Sequence, residues 1–431
     1  MKTKNRLMAV VLCALFLVTL PGIGIAAASE DETLDIYGNA NEDDIIDMRD
    51  LTFTARMILR LEDETDLADA NYDGRISVAD MTQIGLIILG RESKLTLVDS
   101  ADRIVTVNKP VERLVFTVAG AAEGISILGA QNRVVGREYT IASPELFPEL
   151  MELPAVNGPM GYYDTVDYET VFELDPDIFL TAVVPVPGLE DVIATLEPDG
   201  IPVVALNFYE PPAMVENTRK LRYVLNTEEK GEEFIAFYEG AINDITEKTS
   251  GLPEAEKPRV FLKCRAWTRD QLTTITDELP LAKYQMVIAG GINIAADWPS
   301  MGGWVPELDP EAVQDANPDT IVAWVGPDLD PGSFGYDVDD TSVVMALRDE
   351  YMSMGAFATT TAVEEGRVYL SDCDLVGGPR FVVGVAYLAK WFHPTLFSDL
   401  DPQAIHQQYL TDFLGLDYDL VEQGVFVYPE P

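Results

Sequence analysis

One eleven-residue pattern occurs twice in the chain, at widely separated positions. DYETVFELDPD begins at Asp167 and DPEAVQDANPD begins at Asp309, and both fit D-x-E-x-V-x-x-x-x-P-D. In each copy the first aspartate stands where a helix N-cap belongs, and Glu169 or Glu311 falls in the first helical turn, where a carboxylate is favoured. Each copy leads directly into an apolar run. Helix capping alone explains one copy, whereas the recurrence predicts two related structural halves.

Short apolar runs accompany both copies. RLVFTV, RVVGRE, DIFLTAVV and IPVVALN lie near the first, and RVFLKC, TIVAWVG and RVYLSD lie near the second. Such runs, separated by helical stretches, are typical of buried parallel strands. Residues 227–251 lie between the two sets and carry apolar side chains at helical spacing without a proline, which predicts one long helix. We predict an α/β protein with two Rossmann-like lobes, lobe 1 (95–226) and lobe 2 (252–431), joined by that helix.

A different pattern, DANYDGRISVAD, occupies residues 69–80 (loop 2), and an imperfect copy, NANEDDIIDMRD, occupies residues 39–50 (loop 1). Calcium takes roughly six to eight oxygen ligands, and a loop of this length supplies them from positions 1, 3, 5, 7, 9 and 12. Gly74 at the sixth position of loop 2 permits a sharp turn, whereas Asp44 in loop 1 predicts a weaker or more strained loop. The predicted ligands are Asn39, Asn41, Asp43, the Ile45 carbonyl, Asp47 and Asp50 in loop 1, and Asp69, Asn71, Asp73, the Arg75 carbonyl, Ser77 and Asp80 in loop 2.

A helical pattern of apolar residues follows each loop at the same offset, so two short loop-helix units are expected to pack together. This N-terminal module (33–92) resembles a dockerin domain, whose loops commonly end in aspartate, as Asp50 and Asp80 do here. The resemblance implies a small all-α domain held together by two calcium ions that binds a cohesin domain on another protein. A calcium-stabilised spacer without a partner is the alternative.

The chain begins with Lys2, Lys4 and Arg6, continues with an apolar run and reaches three alanines at 26–28. This layout predicts an export signal over residues 1–28 and a protein that works outside the cytoplasm, secreted or at the cell surface. Cleavage is favoured, and an uncleaved signal anchor is the alternative. Only Cys264 and Cys373 follow the signal, so at most one disulfide is expected.

The formal charge of −44, from 73 acidic and 29 basic residues, repels nucleic acid and anionic membranes. Nucleic acid is therefore excluded as a partner.

Residues 95–430 resemble the substrate-binding proteins of iron-siderophore, haem and cobalamin ABC importers. The resemblance lies in IVTVNKPVERLVFTVAGAAEGISILGAQNRVVG, DYETVFELDPDIFL, GIPVVALN, AGGINIAAD and GGPRFVVGVAYLAKWFHPTLF, taken in this order and spacing. It implies a monomer that is not an enzyme, with a class III periplasmic-binding-protein fold and a ligand held between lobes that close only slightly. In this family a glutamate on the outer face of each lobe pairs with arginines of the membrane permease, and Glu169 and Glu311 match those positions.

Ligands of open parallel sheets lie beyond the carboxyl ends of the strands. That rule selects the loops at 117–121, 161–163 and 184–188 in lobe 1, and at 265–267, 298–304 and 380 in lobe 2. Aromatic side chains suit a large flat chelate, and an arginine suits an anionic group. The predicted ligand-binding residues are Thr117, Tyr162, Tyr163, Arg265, Trp267, Trp298, Trp304 and Arg380.

Only His393 and His406 are present, so a bare metal bound by several histidines is disfavoured and a chelated metal is expected. The competing classes are a dockerin-tethered hydrolase such as a glycosidase and a purely structural surface protein. The sequence has no nucleophile elbow, HExxH or phosphate loop, but paired carboxylates are too plentiful to exclude a glycosidase by counting.

Overall fold

The computed structural model describes residues 33–118, 120–159, 163–184, 186–209, 211–264, 271–326 and 329–431. The predicted export signal lies outside these ranges. Within them, no helix is long and apolar enough to cross a membrane.

Helices and strands alternate along most of the chain after the N-terminal module. The helices are α1 (Met48–Ile58), α2 (Val78–Ile88), α3 (Ala121–Ile127), α4 (Pro148–Met151), α5 (Tyr168–Leu174), α6 (Leu189–Leu196), α7 (Pro211–Leu225), α8 (Glu228–Thr249), α9 (Pro280–Ala289), α10 (Pro310–Ala316), α11 (Ser342–Ser353), α12 (Thr361–Glu364), α13 (Phe381–Phe392) and α14 (Pro402–Gln408). The strands are β1 (Lys94–Val98), β2 (Ile104–Asn108), β3 (Leu114–Phe116), β4 (Val134–Gly136), β5 (Ile178–Thr181), β6 (Val203–Ala205), β7 (Arg259–Lys263), β8 (Thr274–Ile275), β9 (Ile292–Asn293), β10 (Trp304–Val305), β11 (Thr320–Val325), β12 (Val368–Asp372) and β13 (Val427–Tyr428).

Two separate sheets form the centres of the two lobes. The lobe 1 sheet has the order β4-β3-β5-β6 and is entirely parallel. The lobe 2 sheet has the order β13-β12-β11-β7-β9, and only β13 runs antiparallel. The inner strands are apolar and buried on both faces, as parallel strands covered by helices must be. The predicted α/β arrangement with two lobes is therefore present.

Helix α8 lies between the lobes and corresponds to the long helix that the sequence predicts. It packs against α7 of lobe 1 and against α9 and α13 of lobe 2. Phe234 and Ile245 on this helix are fully buried, and Phe237 and Ile242 pack beside them. One hydrophobic core consequently runs from lobe 1 through α8 into lobe 2.

The N-terminal module shares this core. Its two helices pack together, and Ile36, Ile84 and Ile87 belong to the same buried cluster as Leu114 of lobe 1. The backbone also connects the two parts, because Tyr37 N donates to Thr96 O at 2.9 Å beside the antiparallel β1–β2 pair. The module is therefore packed onto lobe 1.

Both cysteines that follow the predicted signal are free in the structure. Cys264 is fully buried after β7, and Cys373 follows β12. The disulfide that the sequence permits is absent.

Candidate functional site

The carboxyl ends of the two sheets meet at the boundary between the lobes. Tyr209 follows β6 of lobe 1, and Gly378 follows β12 of lobe 2. The Gly378 N–H donates to the Tyr209 carbonyl at 2.9 Å, and a Cβ on the neighbouring Gly377 would lie 2.7 Å from the tyrosine ring. The strand ends where a ligand is expected therefore lie at this boundary, called the cleft below.

Two of the predicted ligand-binding residues of lobe 1 are buried and bonded within the lobe. Thr117 follows β3, and its hydroxyl donates to the Thr181 hydroxyl at 3.2 Å. The Tyr163 hydroxyl donates to the Ala182 carbonyl and accepts from Val184 N–H at 3.2 Å. Both side chains hold the loops that follow β3 and β5 in place. Neither offers much free surface to a ligand.

Three further predicted residues, Tyr162, Arg265 and Trp267, lie outside the described residues, so their roles stay predictions. Trp298 and Trp304 of lobe 2 are described, and both are partly exposed. Trp298 packs against Phe261, with 6.3 Å between ring centroids. Trp304 lies in β10, opposite Ile275 of β8.

Arg380 has a different environment from the ligand-binding one that the strand-end rule predicts. Its guanidinium is 1% exposed and forms a forked contact with Glu123, with Nη2–Oε1 at 2.8 Å and Nε–Oε2 at 3.1 Å. Glu123 lies on α3 of lobe 1, and Tyr409 donates to the same carboxylate at 2.5 Å. The hydroxyl of Ser143 completes the surroundings, since Arg380 Nη1 donates to it at 2.8 Å. Arg380 is therefore engaged in a buried pair between the lobes, and its guanidinium is not free to bind an anionic ligand.

Acidic groups accumulate next to this pair. The end of β12 carries three side chains in a row, Asp372, Cys373 and Asp374. Their potential metal-ligand atoms lie within 4.8 Å of one another, and no other group of three or more Asp, Glu, Cys or His side chains among the described residues does so. Burial, together with the charge of Asp374, raises the pKa of Asp372 to about 7. The Ser143 hydroxyl donates to Asp374 at 2.7 Å.

A second buried acid, Glu138, lies beyond the carboxyl end of β4. Burial raises the pKa of its carboxyl group to about 8, although the charge of Arg137 acts in the opposite direction. No described residue forms a hydrogen bond or ion pair with this carboxyl group. Burial therefore favours the protonated form of Glu138 over a wider pH range than in a free glutamate.

The repeated eleven-residue pattern has the same structure in both lobes. Asp167 and Asp309 cap α5 and α10, Val171 and Val313 are fully buried, and a left-handed residue, Asp175 or Asn317, ends each helix. The last aspartate of each copy accepts N–H groups at the start of the lobe's first sheet strand or just before it: Asp177 from Glu112 and Arg113, and Asp319 from Arg259. Glu169 and Glu311 are exposed in their first helical turns, and no described side chain bonds to either carboxylate. The two aspartates and the valine of the pattern therefore have structural roles, whereas the glutamate carboxylate has no partner among the described residues.

Loop 1 and loop 2 share one framework. Asp50 Oδ1 and Oδ2 accept from the N–H groups of Asn41 and Asp47, and Asp80 accepts from those of Asn71 and Ser77 in the same way. Position 12 of each loop is therefore also part of a capping box at the start of α1 or α2. The two loops differ at position six: Gly74 has φ +85°, whereas Asp44 is not left-handed. The strain expected at Asp44 is therefore absent, because its backbone takes an ordinary conformation and its carboxylate lies 3.7 Å from Arg219 of lobe 1.

The oxygen atoms of loop 1 are suited to binding a hard cation. Asn39 is fully buried, and its Nδ2 donates to the carbonyls of Leu34 and Asp43, which leaves Oδ1 without a hydrogen-bond partner among the described residues. The Asp43 and Asp47 carboxylates each lie 3.0 Å from the guanidinium of Arg49. A buried orphan acceptor beside carboxylates that attract a cationic group is what a calcium loop offers.

The periplasmic binding protein family model matches residues 117–375, which is more than half of the chain. The chain belongs to that family. A search of curated proteins found no match to this chain. The family implies a solute-binding protein, typically not an enzyme, that works outside the cytoplasm.

Solved structures with similar folds are periplasmic binding proteins as well. A TroA-like protein, FepB from Veillonella parvula, is 23% identical with a TM-score of 0.61, and the match covers 77% of this chain and 98% of that one. The molybdate-bound MolA of Haemophilus influenzae is 18% identical with a TM-score of 0.59, covering 75% and 99%. The haem-binding RhuT of Roseiflexus sp. RS-1, in apo form, is 21% identical with a TM-score of 0.50, covering 67% and 100%. At these identities the likeness shows the class III fold.

Sequence reasoning missed Glu123, Glu138 and Tyr223. Glu123 gives no local signal, because its partner Arg380 is distant along the chain. Glu138 is the second residue after the apolar run RVVG, so the strand-end rule could have selected it. Tyr223 lies in an ordinary amphipathic helix, and its contact with loop 1 depends on the packing of the module.

Proposed function

We propose that this periplasmic binding protein captures a metal chelate, either an iron siderophore, haem or a cobalamin-like ligand, in the cleft and delivers it to an ABC permease. The observation that supports a chelate over a bare metal is the state of the two histidines. His406 is buried and hydrogen-bonded to Tyr336 at 2.7 Å, and His393 is bonded to the Gly290 carbonyl at 2.9 Å. Because both serve the fold, a histidine-rich metal site is not available.

The test is a binding screen with the full chain, read by tryptophan fluorescence, against ferric siderophores, haem and cobalamin, with Mn²⁺, Zn²⁺ and molybdate alongside. We expect saturable binding of one chelate. Arg265→Ala or Trp267→Ala is expected to weaken it roughly tenfold or more, as loss of a buried charged or aromatic contact does. Binding of a bare ion alone would contradict the chelate proposal, and release of reducing sugar from polysaccharides would favour the glycosidase alternative.

We further propose that the N-terminal module is a dockerin-like domain that holds two calcium ions and attaches the protein to a cohesin partner. Loop 1 and loop 2 would supply the oxygen ligands named from the sequence. Met48 and Val78, at position ten of the two loops, are 64% and 67% exposed, so each loop offers one apolar side chain to a partner. Capture of the full chain by an immobilised cohesin in calcium, and its release by a chelator, would support the attachment. Calcium binding without capture would leave the spacer alternative.

The localisation proposal is that the mature protein is secreted or held at the cell surface, with residues 1–28 removed. N-terminal sequencing of the exported protein distinguishes cleavage near Ala28 from a retained signal anchor.

A further inference from the structure

The two calcium-type loops have different surroundings, although their sequences are similar. In loop 1, the Ile46 N–H at position eight donates to the hydroxyl of Tyr223 on α7 at 2.9 Å. Both side chains are buried in the core that the module shares with lobe 1. The equivalent residue of loop 2, Ile76, is only partly buried, and no described side chain accepts its N–H. Lobe 1 therefore supplies a hydrogen-bond acceptor to the position-eight N–H of loop 1, and no described side chain does so for loop 2.

Asp44, the residue at which loop 1 departs from the calcium pattern, also contacts α7 of lobe 1. Asp44 stands where loop 2 has Gly74, and its carboxylate lies 3.7 Å from Arg219, which also pairs with Glu239 of α8 at 3.1 Å. Arg219 and Tyr223 are four residues apart and therefore lie on one face of α7. The departure from the calcium pattern thus occurs where the loop touches lobe 1.

Further contacts fix the carboxyl end of α7 against the module. Lys109 Nζ donates to the carbonyls of Tyr223 and Val224, both at 2.6 Å, and pairs with the buried Glu92 at 3.2 Å. Asn226 Nδ2 donates to the Gly90 carbonyl at 3.0 Å. These bonds make the position of the Tyr223 hydroxyl relative to loop 1 well defined.

The bond to Tyr223 acts on a peptide group that the loop pattern assigns to calcium. Position seven supplies its backbone carbonyl, which in loop 1 is that of Ile45. The Ile45 carbonyl and the Ile46 N–H belong to the same peptide unit, and in a trans peptide they point in opposite directions. A hydroxyl that accepts the N–H therefore orients the carbonyl away from lobe 1 and increases its partial negative charge.

We propose that Tyr223 is a positioning residue for calcium in loop 1, so that calcium binding there and docking of the module on α7 stabilise each other. The inference rests on the proposed calcium sites. By thermodynamic reciprocity, a contact that strengthens calcium binding is itself strengthened by calcium. Calcium would then stabilise α7 of lobe 1 as well as the module.

The experiment titrates calcium into the full chain by calorimetry. A loop 2 variant, Asp73→Ala, isolates loop 1, and Tyr223→Phe is added to it. We expect Tyr223→Phe to weaken the loop 1 site roughly threefold to tenfold, the range for one hydrogen bond, and to leave loop 2 unchanged in the otherwise wild-type chain. Tyr238→Phe is the matched control, because it removes another buried hydroxyl from α8 that no described residue bonds.

Hydrogen exchange of residues 211–225 gives a second readout. Calcium should slow exchange there in the wild-type chain, and less so in Tyr223→Phe. Equal loop 1 affinity with and without the hydroxyl would overturn the coupling and leave the calcium proposal intact. Equal losses at both loops would overturn it too, since they indicate general destabilisation. A wild-type chain that binds no calcium would overturn both proposals.

Discussion

Glu138 shows how a single side chain can carry a pH dependence. Its carboxyl group is buried beyond β4 with no bonding partner among the described residues, and its pKa is raised to about 8 from the ordinary value of 4.5. Between these two values the folded state binds a proton that the unfolded state has released. The stability from the protonated group is therefore complete below about pH 4.5 and is lost as the pH rises towards 8.

The first prediction concerns Glu138→Gln, which resembles the protonated side chain and cannot ionise. We expect its free energy of unfolding to exceed that of the wild type increasingly from pH 5.5 to pH 8.5, by up to about 1.4 kcal/mol per pH unit. Urea denaturation at both pH values measures the difference. If the two proteins keep the same difference at both pH values, Glu138 is ionised in the folded protein and this account is wrong.

The role of a residue can be predicted from the sequence where its partner is close along the chain. The caps Asp167 and Asp309 are an example, because their partners are two or three residues away. The Glu123–Arg380 pair could not be predicted, since two distant segments bring it together. The sequence predicts Arg380 as a ligand-binding residue, whereas in the structure its guanidinium is paired with Glu123 within the protein.

At the scale of elements, periodicity and turn residues predicted most of the fold. The long helix expected over 227–251 is α8, and the apolar runs are strands. What local pattern could not predict is which surfaces the elements cover. The amphipathic α7 receives the N-terminal module, and this follows only from the three-dimensional packing.

The second prediction compares two glycines of the module. Gly74 has φ +85° with no atom within 4 Å of an added Cβ, so Gly74→Ala adds backbone strain without a clash. We expect it to destabilise the module by about 1 kcal/mol. Gly85 lies inside α2, also with open space, and Gly85→Ala should stabilise by about 0.4–1 kcal/mol. Thermal melting with calcium measures both, and shifts of the same sign would contradict the assignment of the turn.

At the scale of the whole molecule, the lobes are held by a buried ion pair as well as by α8. The third prediction is that Glu123→Gln destabilises the protein by up to about 3–5 kcal/mol, because it leaves the buried Arg380 charge with only the more distant Asp374 carboxylate, 3.8 Å away. Asp399→Asn breaks the exposed pair of Lys248 and Asp399, 3.3 Å apart, and should lower the stability far less, because water screens this pair. Chemical denaturation compares them. Similar small losses would show that the interior pair is not holding the lobes.

The fourth prediction tests the exposed glutamates, one on each lobe. Two carboxylates at equivalent helix starts can contact a two-fold permease at both lobes, so Glu169→Ala with Glu311→Ala should abolish uptake in vesicles that contain the permease. Ligand affinity should stay unchanged and the melting temperature nearly so, because each carboxylate only complements its own helix by about 0.3–1 kcal/mol. Glu173→Ala with Asp315→Ala is the control, because these two exposed carboxylates also occupy equivalent positions on the same two helices. Normal transport by the glutamate double variant would leave only a helix-capping role.

The pairing of Glu123 with Arg380 has a kinetic consequence for the cleft. If this pair fixes the spacing of the lobes before the solute arrives, no large closing step follows the encounter. The observed association rate should then rise in proportion to ligand concentration without reaching a plateau, as for a pre-organised receptor. Differences in affinity among solutes would then lie in the dissociation rate, and release of a bound solute would require energy to separate the lobes.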